Sequence, residues 1–141
     1  SVKKVLTFYL RDILFGIDVT IVKEINRKVD YTSVPGAKSD IVGLYNMRGQ
    51  VVTLFDIAGI MGFQKKEPEE KVSCVILKAL PNDPNQAGFI IDGFGDVLEI
   101  EQEEFEPPPA NVVGVDGEYI KSIVKLAEQL LIMVNTDKLF A

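Results

Sequence analysis

The stretch IVGLYNMRGQVVTLFDIAGIMGF, residues 41–63, sets Arg48 and Gly49 between two apolar runs. A guanidinium held in a turn has two uses. It either pairs locally, capping its own turn or meeting Asp56 or Glu24, or it offers charge-assisted hydrogen bonds to a carboxylate or carbonyl on a partner. In the second case apolar neighbours such as Met47 bury the partner's face. Gly49 suits the positive φ that such a turn demands. Asn46 either satisfies local backbone groups or touches the partner.

Other chemistries lack their groups. The chain holds no histidine, and with it go the usual general base near neutral pH, the usual zinc ligand and the usual partner of a serine or cysteine nucleophile. Glu99, Glu101, Glu103, Glu104 and Glu106 crowd one segment, which reads as a solvated acidic face rather than a glycosidase dyad or a calcium loop. Gly93 and Gly95 have neither dinucleotide-binding spacing nor a lysine-bearing phosphate loop, so they read as a bulge or a bent strand. Cys74, inside VSCVILKAL, packs as a small hydrophobe, since its activation needs a base. No cofactor or metal is expected.

The formal charge of −6 and the scatter of the lysines speak against nucleic acid. The longest apolar runs, 51–55, 57–61 and 130–134, fall far short of the roughly 20 residues that a membrane helix needs, so no membrane insertion is expected. No basic region followed by an apolar core opens the chain, and the expected location is the cytoplasm.

The elements that must position Arg48 are mostly strands. Residues 5–10 and 13–17 are β-branched and aromatic runs around Arg11-Asp12, a hairpin. Residues 43–47 and 51–55 form a second hairpin around Arg48-Gly49-Gln50. DIAGIMG, with Asp56 as N-cap and Gly62 as C-cap, makes a turn or two of helix, and QKKEPEEK, residues 64–71, reads as a linker. Strands are expected over 72–80, 87–91 and 97–100, with PNDPNQ as a loop between the first two. EIEQEEFEPPP, with three consecutive prolines, cannot be strand throughout and reads as an exposed loop. A last hairpin runs over 118–126 and 130–134, and Thr136 caps a short helix. About ten short strands with few helices give an all-β class, mainly β with short helices.

The chain also echoes itself. FGIDVTIVKEI resembles FIIDGFGDVLEI, so that Asp18 matches Asp92 and Glu24-Ile25 match Glu99-Ile100. Residues 51–56 likewise match 130–135, which puts Ala127 where Arg48 stands. A period of about 75 residues suits two related β-subdomains of about five strands each, with a groove between them. Exposed strand edges and such a groove suit a binding module that takes an amphipathic helix.

At this point the residues resemble a known family, the CheW coupling adaptors of bacterial chemotaxis, together with the related regulatory domain of the histidine kinase CheA. GLYNMRGQVVTLFDIAGIMG is similar to the family's N-x-R-G turn followed by an apolar strand, an aspartate and a short helix. FGIDVTIVKEI, SVP at 33–35, GFIIDGFGDVLEI and LLIMVNTDKLF follow in the family's order, so the likeness covers almost the whole chain. The resemblance implies one domain over 1–141 made of two pseudo-symmetric, interleaved five-stranded β-barrel subdomains of the SH3-like kind, roughly 14–63 and 72–134, with strands exchanged at the ends. It implies no enzyme activity. It implies a scaffold that binds the kinase's regulatory domain and holds the cytoplasmic tip of a chemoreceptor in its groove. On that reading Asn46, Met47, Arg48 and Gly49 form the partner-binding turn, with Glu24 and Val34 beside it and Ile91 and Asp92 in the second subdomain.

The second subdomain departs from the family pattern. Gly93 and Phe94 stand where a charged residue and a valine are expected, and Ser122 where a glycine is expected. LAEQLLIMVN replaces the usual tight turn and final aspartate. A CheW-like adaptor or regulatory domain of another motility kinase pathway is the nearest alternative, and a small-ligand-binding β-barrel is the alternative from a different class.

Overall fold

The computed structural model describes residues 1–79 and 86–140. In chain order the elements begin with β1 (Val2–Leu10), β2 (Ile13–Asp18), β3 (Val22–Val29), β4 (Ile41–Met47), β5 (Gln50–Phe55) and the helical turn α1 (Ile57–Ile60). They continue with β6 (Val72–Leu77), β7 (Gln86–Ile91), β8 (Gly93–Glu101), β9 (Asn111–Val112), β10 (Val115–Asp116), β11 (Ile120–Lys125), β12 (Leu130–Val134) and α2 (Thr136–Leu139). The expected loop between β6 and β7 lies, at 81–85, outside the described residues.

The strands form two five-stranded sheets, β11-β12-β2-β1-β8 and β3-β6-β7-β5-β4, with β9 and β10 as a small ribbon. Neither large sheet is drawn from one half of the chain. Read as β4-β5-β7-β6-β3, the second sheet repeats the first strand for strand, and each has one parallel pair, β12 with β2 and β5 with β7. The sequence echo follows this correspondence. Asp18 and Asp92 lie where the chain leaves β2 and β7 to cross to the other sheet, and Glu24 and Glu99 lie on the strands that receive it.

Short two-residue turns with left-handed backbone join the hairpins. Arg11 and Asp12 (φ 52° and 67°), Arg48 and Gly49 (53° and 88°), and Val113 and Gly114 (46° and 84°) each form a two-residue connection with positive φ at both positions, as a type I′ turn needs. Asp56 caps α1 by accepting from the Gly59 N–H at 3.2 Å, and Asn135 caps α2 by accepting from Lys138 N–H at 3.3 Å.

Apolar side chains fill three places. The largest cluster lies between the sheets, where Phe8 meets Phe15 at 6.2 Å and Phe89, from the other sheet, at 5.1 Å. Smaller clusters line the remaining faces, one around Val5, Leu14 and Leu131, the other around Val52, Leu54 and Cys74. Beyond these cores the edge strands approach one another. Thr32, past the end of β3, exchanges backbone hydrogen bonds of 2.8 Å with Leu44 on β4, and Glu106, past β8, pairs with Ile123 on β11 in the same way.

Candidate functional site

The approach of β3 to the β4–β5 hairpin creates the site. Alternation along β3 turns Glu24 and Asn26 to one face, and the hairpin turn carries Arg48 over to them. Arg48 forks Glu24, its Nη1 donating to Oε1 at 3.2 Å and its Nη2 to Oε2 at 2.5 Å. Asn26 Nδ2 donates to the same Glu24 Oε1 at 3.1 Å, and Tyr45 Oη on β4 donates to Asn26 Oδ1 at 3.3 Å. Asn46 Oδ1 accepts from the Gly49 N–H at 2.8 Å, which fixes the turn that aims the arginine. Of the two uses open to Arg48, the local pairing with Glu24 is thus made, yet the arginine side chain stays 69 % exposed against 23 % for Glu24.

Electrostatics follow the geometry. The hydrogen bonds from Arg48 and then from Asn26 hold the Glu24 carboxyl below its ordinary value, and the same pairing raises Arg48. Burial, with the Cys74 and Glu24 charges behind it, pushes Tyr45 up. Beside the fork, Lys23 Nζ donates to Oε1 of Gln50 at 3.2 Å and of Gln86 at 2.9 Å, joining β3 to β5 and β7. The strands that carry the fork also expose apolar side chains on their other face, Ile25 on β3, Leu44 on β4 and Val51 on β5, the last 60 % exposed. Such a mixture of bidentate charge and open apolar surface suits protein recognition.

The expected site residues divide. Glu24, Asn46, Arg48 and Gly49 are brought together by the bonds just described. Val34 is exposed in the loop that follows β3. Met47, with 2 % exposure, and Ile91, with 6 %, point inward by strand alternation and lie in separate cores, Met47 beneath the hairpin turn and Ile91 between the sheets beside Asp92. Asp92 belongs to a different place. It accepts from the Arg11 N–H at 2.7 Å, pairs with Arg11 and Lys66 at 3.4 Å each, and its own N–H donates to the Tyr9 carbonyl at 2.9 Å. Burial would raise this carboxyl, but the Arg11 N–H bond and the Lys66 and Arg11 charges outweigh it and hold it low.

Two residues of the network escaped sequence reading, Asn26 and Tyr45. Their signal is the spacing of Glu24 and Asn26, two apart on a strand, opposite Tyr45 two or three residues ahead of the turn. Among the described residues no helix is long and apolar enough to cross a membrane, and no group of three or more metal-ligating side chains is gathered.

Comparison with known proteins adds three findings. The family model of the CheW-like domain matches residues 4–141. A chemotaxis protein CheW of Treponema pallidum is 27 % identical over 141 residues, spanning 98 % of this chain and 82 % of its own, and one of Klebsiella aerogenes is 29 % identical over 136 residues, spanning 96 % and 80 %. The crystal structure of the scaffolding protein TtCheW from Thermoanaerobacter tengcongensis superposes with a TM-score of 0.84 at 28 % identity, covering 100 % of this chain and 89 % of that one.

Proposed function

Because the chain belongs to the CheW-like domain family, we propose that it is a non-catalytic scaffold that couples chemoreceptors to the histidine kinase CheA in chemotaxis signalling. The observation that carries this reading is the Glu24–Arg48 fork, a bidentate ion pair whose arginine stays 69 % exposed. A surface pair of this kind adds little to folding. It is worth more as a preset donor array for a partner, because the guanidinium is already aimed and loses little freedom on binding.

On this reading Arg48, Glu24, Asn46, Gly49 and Val34 face the partner, while Met47 packs beneath the turn. The kinase's regulatory domain and the cytoplasmic tip of the receptor are the two partners, and no nucleic acid or bilayer takes part. The working location is the cytoplasmic side. The space between the sheets is filled by Phe8, Phe15 and Phe89, which favours docking on the outside over a ligand held within.

The test is calorimetric titration of the protein with a kinase regulatory domain and with a receptor signalling-tip fragment, each repeated with Arg48→Ala at matched salt. Micromolar binding to both is expected, with one interaction weakened at least about tenfold in a variant that melts like the parent. No heat with either partner, from folded protein, overturns the proposal.

A further inference from the structure

The correspondence between the two sheets extends to their openings. One cleft, of about 390 Å³, lies at the end of the second sheet, between Asp92, Asp56, Val42 and Val72. Another, of about 480 Å³, lies at the end of the first, between Asp18, Asn135, Lys121 and Val5. These are the same place twice. Asp92 and Asp18 each leave the inner strand of a parallel pair, Asp56 and Asn135 each cap the short helix that follows its neighbour, and Val72 and Val5 lie on the next strand over.

The two clefts differ in what crosses them. Over the second sheet runs the segment 64–71, which has neither helix nor strand. It is held as a bound peptide would be. Arg11 Nη2 donates to the Gln64 carbonyl at 3.2 Å and Tyr31 Oη to the Glu69 carbonyl at 3.0 Å, so the backbone itself is gripped. Its side chains answer the rim: Lys65 Nζ donates to the Ser39 carbonyl at 2.6 Å, Lys66 pairs with Asp92 at 3.4 Å and Glu69 with Lys28 at 3.5 Å. The described lining of the first sheet's cleft includes Gln102 and Phe105, from the run that follows β8, but no segment at the strap's own chain position beside the capped helix.

The rims match in charge as well. Without the strap, the second cleft is lined by two cations, Arg11 and Lys28, and two carboxylates, Asp56 and Asp92. The first is lined by Lys3 and Lys121 with Asp18 and Asp137, again two of each. Below both rims lie apolar side chains, Ile90 and Ile91 in one, Ile17 and Met133 in the other. A rim of both signs over an apolar floor selects a segment carrying both signs and rejects a uniformly charged one.

We propose that the cleft of the first sheet is a docking site for an extended peptide segment of a partner protein, rich in lysine and glutamate, seated as residues 64–71 are seated on the second sheet. Its acidic side chains meet Lys121 and Lys3, and its basic ones meet Asp137 and Asp18. The surface is separate from the Glu24–Arg48 fork, so the molecule can hold this segment and a partner at the fork together.

The experiment is an NMR titration of the isotope-labelled full chain with an end-blocked synthetic peptide of sequence QKKEPEEK. Saturable shifts at Lys3, Asp18, Lys121 and Asp137 are expected, and Lys121→Glu weakens them about fivefold. Asp137→Lys serves the same purpose should the first variant fail to fold. Shifts confined to Arg11, Lys28 and Asp92, where the peptide displaces its own copy, overturn the proposal. So does the absence of any shift, or binding undiminished in both variants. Shifts at the same residues on raising protein concentration alone name a second copy as the occupant and also overturn it.

Discussion

Asn46 and Asn111 hold the same station in two hairpins: each side-chain oxygen accepts from the N–H of a glycine three residues on, Gly49 at 2.8 Å and Gly114 at 3.2 Å. The residue before each glycine is left-handed, Arg48 at φ 53° and Val113 at φ 46°. An unbranched arginine tolerates that backbone better than a valine, whose two γ-carbons crowd it.

Relief of that crowding is the first expectation. Val113→Asn places a residue that accepts the left-handed region at a side chain already 57 % exposed, so little packing is lost. Stability should rise by about 1 kcal/mol, seen as a higher urea midpoint with unchanged slope. A lower midpoint would show that the valine contributes more by contact than its backbone costs.

Asp92 should make stability depend on pH. Its carboxyl titrates lower in the folded protein than in the unfolded chain, so its contribution is complete above about pH 4 and fades as pH falls through the lower native value. Asp92→Asn should cost about 1 kcal/mol at pH 7, and urea melts of parent and variant should converge as the pH falls below the lowered native value. A gap that stays constant with pH would assign the effect to shape instead of charge.

Gly43 has no room for a side chain. A Cβ there would overlap the Thr32 carbonyl oxygen and lie 2.9 Å from Tyr31 Cδ2, because Thr32 and Leu44 exchange hydrogen bonds directly beside it. Gly43→Ala should therefore destabilise by about 2 kcal/mol and pull β3 away from the hairpin, weakening partner binding at the Glu24–Arg48 fork as well. Thermal melts and the calorimetric titration read the two effects separately.

Cys74 should be inert. It is fully buried, and burial, helped by the Glu24 charge, pushes its thiol up to about 11. A thiol reagent at pH 8 should label it only as fast as the protein unfolds, with full reaction in denaturant. Rapid labelling of native protein would mean that the cluster around Val52 and Leu54 opens far more readily than its packing indicates.

Much of this was legible in the residues. The hairpins at Arg11-Asp12 and Arg48-Gly49 follow from β-branched runs broken by turn formers, and α1 from Asp56. The echo of Asp18 in Asp92 marks two crossings between sheets. β3 was hidden because it lies on an edge and its apolar residues, Val22, Ile25 and Val29, do not alternate, so VKEINRKV carries no period of two. The β9–β10 ribbon was hidden because NVVG carries its turn in an asparagine and a glycine only, the same pair that marks NMRG. The fork could be suspected from Glu24 and Arg48 but not chosen over Asp56, since the choice depends on which edge strand closes on the hairpin.

The interleaving of the sheets sets an order on the ribosome. Once residue 91 has emerged, all five strands of the second sheet have been made, while the first has only β1 and β2. Those two strands carry Phe8 and Phe15, and Phe89, which packs on Phe8, already sits on the finished sheet. Early strands of the nascent chain thus have an apolar surface to wait on until β8, β11 and β12 arrive, and they need not stand bare in the cell while the last third of the protein is being translated.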